Sequence, residues 1–232
     1  QVETKVNSKN IRMSNKISIT EEFHRLKALT KGRIIDADNA TELLNFFTLF
    51  GIAEPGVVNI DFSAIADGGL RTHYSQNIIR PIENTLGGLP NQGIRALCGP
   101  IYFDRLVAHA EYRASKLGFE DARTLRDRVA HSDRMTPFAG IDFLEYRGAV
   151  NGVKYVADDE AHFFPMGVPD LFKSFYVPAP MFETVNTIGL PRYAHQFPDP
   201  LAPKSRVKLN VESYPLHVMT RPNARITEQT TG

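Results

Sequence analysis

Three short runs hold the residue types of a reactive site, and each stops short of one. Asp36-x-Asp38 opens like a calcium loop, which next needs Asp or Asn at 40 and Gly at 41; Ala40 and Thr41 stand there. Asp36 to Asn39 reads instead as a turn, because Asp and Asn bond their own backbone. His109-Ala110-Glu111 gives the first half of a zinc-deaminase pattern. The second half needs two cysteines, and the chain has only Cys98. His109 is then a residue on the flank of a helix. His131-Ser132-Asp133 holds triad residue types, but triads are assembled by folding rather than adjacency, and no G-x-S-x-G elbow occurs.

The remaining chemistry-bearing residues are scattered. His24, His73, His162, His195 and His217 show no i, i+4 pairing with one another. Gly87 to Gly93 is glycine-rich but lacks the lysine of a phosphate loop, so it reads as a flexible tip. Arg123, Arg126, Arg128 and Arg134 interleave with Glu120, Asp121, Asp127 and Asp133, which suits a salt-bridged surface or a subunit contact. Cys98 sits among Ala96, Leu97 and Gly99 and reads as a small buried apolar residue. These residues predict no catalytic site, no cofactor and no metal.

Bulk composition narrows the classes further. The chain has 232 residues, 42% of them apolar and 23% charged, enough for a sizeable core. Lys and Arg number 27 against 26 Asp and Glu, a net charge of +1. That balance argues against a dedicated nucleic-acid binder, although grazing contact with DNA stays compatible. No apolar run approaches the ~20 residues that span a bilayer, and no signal-peptide pattern occurs, so a cytosolic origin and no membrane partner are expected. The chain begins at Gln1, and a longer or processed N-terminus is expected.

Elements follow from periodicity. Ser18 and Glu21 have capping-box spacing and predict a helix start, with Phe23, Leu26 and Leu29 as its stripe and Gly32 as its stop. Arg33–Asp36, Glu42–Phe47 and Val57–Phe62 read as strands. Leu70, Tyr74, Ile78, Ile82 and Leu86 recur every fourth residue as a helical stripe, with a kink or break expected at Pro81 and an end at Gly87-Gly88. Ile94–Cys98 reads as a central strand. Gly99-Pro100 opens one helix with Phe103, Leu106, Val107, Ala110, Ala114 and Leu117 on its buried face, ending at Gly118. Glu120–Arg128 reads as an exposed helical piece. Ile141 to Val156 predicts a hairpin turning at Asn151-Gly152. Glu160–Pro165, Val207–Glu212 and Ser213–Thr220 read as strands, the last broken at Pro215. The polar tail beyond Arg221 is expected to fray. The sum is α+β, with a helical middle between β-rich ends.

One stretch stands apart. Phe163 to Gln196 is rich in large apolar residues yet holds Pro165, Pro169, Pro178, Pro180 and Pro191. Proline fixes φ and removes a donor, so no long helix runs through it. Phe163, Phe164, Leu171, Phe172, Phe175, Tyr176 and Phe182 still need cover. A segment of this kind must be held by other elements or other chains.

Its phrases resemble a known family. GVPDLF, YVPAPMFETVNTIGLPRYA and SYPLHVMTRP are similar to the C-terminal portion of lambda-type phage major capsid proteins, the capsid protein E family. EEFHRLKALTKGRIIDADNATELLNFFTLFGI resembles that family's helix, glycine stop, hairpin and Phe-Gly-Ile run, in the same order, and YRGAVNG between the blocks also fits. Residues 64–136 match loosely. The resemblance implies a Hong Kong 97-like fold. Residues 1–65 and 166–232 would form a peripheral domain with a spine helix and long strands, and 66–165 an inserted axial domain. An N-terminal arm and extended loop would precede them. The resemblance also implies self-assembly into an icosahedral head shell in the virion, after assembly in the host cytoplasm. Its partners would be other copies, a portal, a scaffold, a decoration protein, and packaged double-stranded DNA held without sequence preference. Phe172, Phe175, Tyr176, Pro178, Pro180 and Phe182, within or beside the run Val177–Asn186, are the expected subunit-interface residues. The alternatives are a soluble α+β enzyme with a site of dispersed His and Asp residues, which a pocket gathering several of the seven histidines would favour, and a non-viral compartment shell with the same fold.

Overall fold

The structure, a computed structural model, describes residues 2–36, 38, 40–117, 135–150, 152–199, 201 and 206–231. Helix α1 (Val2–Lys31) leads into strands β1 (Arg33–Ile35) and β2 (Glu42–Asn45), a short helix α2 (Phe46–Phe50) and β3 (Val58–Ile60). Next come α3 (Gly69–Tyr74), a π turn (Ser75–Ile79) and α4 (Arg80–Leu86), without interruption. β4 (Ile94–Cys98), α5 (Pro100–Ala108) and α6 (Ala110–Leu117) follow. Then come β5 (Met135–Phe138), β6 (Ile141–Glu145), β7 (Ala149–Val150), β8 (Val153–Lys154) and β9 (Glu160–Pro165). The last part holds β10 (Phe172–Tyr176), β11 (Tyr193–Pro198), β12 (Val207–Glu212), β13 (Pro215–Met219) and β14 (Ile226–Thr230).

A six-stranded mixed sheet, in the order β3-β14-β9-β4-β6-β5, is the centre. Successive side chains on a strand point to opposite faces, and here each face is covered. Ala96, Cys98, Phe143 and Phe163 meet the helical stripe of Leu70, Tyr74, Ile78, Ile82 and Leu86. The Tyr74 ring lies 5.3 Å from Phe143 and 6.1 Å from Phe163. Their neighbours in sequence, Leu97, Leu144 and Phe164, pack with Leu26 and Leu29 of α1. The sheet is therefore sandwiched between α1 and the α3–α4 unit, and both faces read as apolar runs.

Local chemistry explains the breaks. In a straight helix an apolar residue every fourth position drifts around the axis. The wider π turn takes up part of that drift, and all five stripe residues are buried. It also lies just ahead of Pro81, where the Arg80 N–H reaches back to Ser75 O. So Pro81 is accommodated inside the rod, where a kink or break was expected. The single helix expected from Gly99 to Gly118 is two. His109 is extended, and its Nδ1 accepts the Glu111 N–H at 3.3 Å, which caps α6. Glu111 in turn accepts the Leu70 and Arg71 N–H groups at 2.9 and 3.3 Å and caps α3. The break exposes Ala110 and Ala114 and buries Tyr112 in their place.

Further expectations are corrected. Ser18 starts no helix: its hydroxyl bonds Ser14 O inside α1, which begins at Val2. The second strand of the first hairpin ends at Asn45, whose side chain accepts from Phe47 and Thr48 and caps α2. Ile141–Glu145 joins the central sheet beside β4, and only β7 and β8 form the hairpin before Tyr155. The loop Gly87–Gly93 is pinned, since the Gln92 N–H donates to Met166 O at 2.7 Å and the Met166 N–H to Gly93 O at 2.8 Å. The tail does not fray. β14 lies between β3 and β9, and its polar side chains are buried because distant residues satisfy them. Glu228 accepts from Tyr102 and pairs with His73, and Thr230 accepts from Arg105 at 2.7 Å. The expected helix Glu120–Arg128, the run His131–Asp133 and the arginine cluster lie outside the described residues.

Candidate subunit interface

The Pro-rich stretch forms one side of a long antiparallel ribbon. β10 pairs with β13 from Phe172↔Met219 to Tyr176↔Pro215, and β11 pairs with β12 from Tyr193↔Glu212 to Pro198↔Val207. Residues 177–192 bulge out between the two halves. Pro178, Pro180 and Pro191 suit that path because they need no ladder donor. The bulge carries its own bonds: Thr184 Oγ1 donates to Ala179 O and to Met181 O, and the Leu190 N–H donates to Tyr193 Oη at 2.8 Å. Gly189 runs against the Tyr176–Val177 backbone so closely that a Cβ there would sit 2.0 Å from Tyr176 O. Ala179 is buried. This is a closed, self-supported loop.

Helix α1 carries the ribbon. Glu21, buried on α1, takes both arms of the Arg192 guanidinium and the Ser213 hydroxyl at 2.8 Å, and Arg25 stands 3.6 Å away. Burial pushes the Glu21 carboxyl up, but these donors and charges outweigh it and hold it below its ordinary value. Nearby, His217 of β13 bonds Ser174 of β10 through Nδ1 at 2.8 Å. Burial first, then the Arg25 charge, lowers its pKa to about 4. Burial also lowers His24, against the pull of Asp36 and Glu21.

The expected interface residues separate here. Of the apolar residues that needed cover, Phe163, Phe164 and Leu171 are buried within the chain. Phe172 is 48%, Phe175 51% and Phe182 100% exposed. Tyr176 is half-buried, with Arg25 3.4 Å from its hydroxyl; Pro178 is half-buried and Pro180 exposed. Val185, inside the expected run, is exposed too; sequence reasoning missed Ile188 and Leu190 on the same loop, and Phe197, Leu201 and Val207 at the ribbon's far end, all exposed. For the loop residues the signal was present in the sequence, as apolar residues recurring inside a Pro-rich run.

No group of three or more His, Cys, Asp or Glu is placed to hold a metal among the described residues, and no described helix is long and apolar enough to cross a membrane. A groove of about 420 Å³ lies between α1 and residues 211–215, and a cleft of about 270 Å³ lies beside Arg105; each has a single histidine in its wall. The buried Glu228–Tyr102–His73 network lines neither cavity. Cys98 is buried, and burial pushes its thiol well up, away from reactivity.

Several large apolar side chains exposed along one loop and ribbon mark a surface that packs against something else. The comparisons specify which kind. Residues 1–229 match the family described as phage major capsid protein E, and the chain belongs to that family. It is 33% identical over 153 residues to the major capsid protein of Pseudomonas phage KPP10, covering 60% of this chain and 43% of the relative. The chain thus spans less than half the length of that curated relative. A crystal structure ascribed to the capsid protein of a prophage of E. coli CFT073 superposes with a TM-score of 0.64 at 12% identity, over 97% of this chain and 67% of that one. The fold is therefore a phage-capsid-like α+β fold.

Proposed function

We propose that this chain is shell-forming material of a tailed phage head, acting by self-assembly with no covalent chemistry of its own. The observation that carries the reading is the ribbon with its ordered loop, where Phe182 is fully exposed and Ile188 89% exposed on a frame that is otherwise well packed. Fully burying each such side chain is worth ~1.5–3 kcal/mol, and a neighbouring copy would supply that cover. Phe172, Phe175, Tyr176, Pro178, Pro180 and Phe182 are the proposed interface residues. The fold is read as Hong Kong 97-like, with α1 as the spine helix and the ribbon as the long strands. Residues 66–165 form the axial unit between peripheral parts 1–65 and 166–232. β3 and β14, one from each peripheral part, lie side by side at one edge of its sheet. A portal, a scaffold, a decoration protein and non-specifically held double-stranded DNA complete the proposed set of partners. The site of action is the virion, after assembly in the host cytoplasm.

Electron microscopy of the full-length protein, expressed with its scaffold, tests this. Shells are expected from the parent and from Glu83→Ser, an exposed control on α4. Phe175→Ser and Phe182→Ser should sharply reduce shell yield. Folded monomers alone from the parent, or full yield from both Phe variants, would overturn the reading.

A further inference from the structure

The exposed loop needs a socket, and the same chain carries one beside the base of that loop, where Tyr214 and Ser213 bond Val177 and Pro191. Lys16, Ile17, Thr20 and His24 of α1 face Val211 to Pro215 across the groove of about 420 Å³. A dry cavity of ~150 Å³ holds a benzene ring, so this groove has room for a phenyl ring and an aliphatic neighbour. Apart from exposed Lys16 and buried Glu21, its walls are half-buried. The chain's own loop does not fill it, because Phe182 is 100% exposed. Of the groove's two carboxylates, Glu21 is held by Arg192 and Glu212 accepts from Asn210 and Tyr214, which leaves Lys16 as the charge open to a partner. Glu183, beside Phe182, and Lys16, on the groove wall, are both exposed, and no ion pair engages either of them among the described residues. His24 Nε2 is also buried, with no hydrogen-bond partner among the described residues.

We propose that the loop 182–188 of one copy docks into the α1/β12–β13 groove of a second copy, with Phe182 and Val185 in the groove and Glu183 against Lys16. This deepens the assembly reading and rests on it. Loop and groove are different surfaces, so the contact is heterologous, and each copy gives one and receives one. Such a contact propagates from copy to copy, whereas loop-to-loop contact would stop at a fixed cluster.

Cysteine pairing tests this in full-length protein. Cys98 is buried and does not compete. Under mild oxidation of assembled particles, Phe182→Cys with Thr20→Cys in one chain should give a ladder of linked chains longer than dimers, and either single change should leave monomers. If Phe182→Cys alone gives dimers, the loop is an interface but meets its own copy, so the groove assignment fails while the assembly reading stands. If no variant cross-links in intact shells, the loop lies outside the contacts, the docking proposal fails, and the loop's part in the assembly reading fails with it. Charge exchange keeps the test decisive if the cysteine pair does not assemble. Lys16→Glu or Glu183→Lys alone should weaken each contact about two- to fivefold, and the double exchange should restore shell yield. Singles without effect, or a double no better than the singles, would refute the pairing.

Discussion

Arg225 shows how much one side chain in the C-terminal segment carries. Its guanidinium donates to Thr30 O at 2.9 Å and Lys31 O at 3.0 Å, the free carbonyls at the end of α1. It also meets Glu54 at 3.0 Å and lies over the Phe47 ring at 5.3 Å. A buried fork of this kind closes a helix C-terminus and ties together four distant segments. Arg225→Lys cannot reproduce the fork and should cost ~2–4 kcal/mol, read as a lower urea midpoint at unchanged slope. Titratable residues give a second expectation. His217 is lowered to about 4, and burial also lowers His162. The unfolded chain binds these protons near pH 6.5 and the folded chain does not, so stability is full above that pH and falls as pH drops toward 4. Glu160 is held at about 2, first by its bond with His162 and then by the Lys31 charge. Its contribution is full above about pH 4.5 and is lost as pH falls toward 2. Melting temperature should therefore hold between pH 8 and 7 and decline below 6.5. His217→Gln should flatten the first part of that decline by on the order of 2 kcal/mol.

At the scale of elements, the loop 177–192 is a device that depends on its closure. The backbone approach at Gly189 leaves no room for a methyl group, since a Cβ would sit 2.0 Å from one backbone oxygen and 2.4 Å from its carbon. Gly189→Ala should open the loop, admit protease cleavage within 177–192 and lower shell yield. Gly56→Ala, where a Cβ meets nothing within 4 Å, should do neither. Cleavage patterns that match in the two variants would contradict this. Elements whose cause is local were legible in the sequence: the Gly32 stop, the stripe from Leu70 to Leu86, and the apolar strands Ile94–Cys98 and Glu160–Pro165. What escaped has causes outside the local window. The first half of α1 packs a stripe of Val6, Asn10, Met13 and Ile17 that is half-buried and partly polar, so its period carries little signal. β14 is a polar pentapeptide whose burial depends on Tyr102, His73 and Arg105, more than a hundred residues away. The break at His109 comes from a side chain competing for the backbone, which composition alone does not announce. The candidate interface was half legible. Phe172, Phe175 and Phe182 stood out as large apolar residues among prolines, whereas Leu201 and Val207, at the ribbon's far end, look like ordinary loop and strand residues.

For the whole molecule, burial divides the chain into a part that is complete and a part that is not. The central sheet is covered on both faces and lies in the main core, whose residues run from Ala28 to Ile226. The ribbon has two strands at every level, and a two-stranded ribbon is at best marginal in water. It is held to the rest by α1, through the Glu21–Arg192 clamp and the contact of α1 with β12 and β13. Residues 1–232 in isolation should therefore remain folded at the sheet while the ribbon opens locally, and they should adhere to one another through the exposed apolar loop. Hydrogen exchange can resolve the two parts. Amides of β4, β6 and β9 should be protected equally in isolated chains and in shells. Amides of β10 to β13 should exchange rapidly in isolated chains and gain protection on assembly, because neighbouring copies then cover the loop and both ribbon edges. Arg192→Ala should accelerate ribbon exchange in isolated chains without altering the sheet, since it removes the clamp and leaves the core intact. Equal protection of ribbon and sheet in the isolated chain would mean that the ribbon is stable by itself, and that its exposed aromatics have another purpose than joining copies.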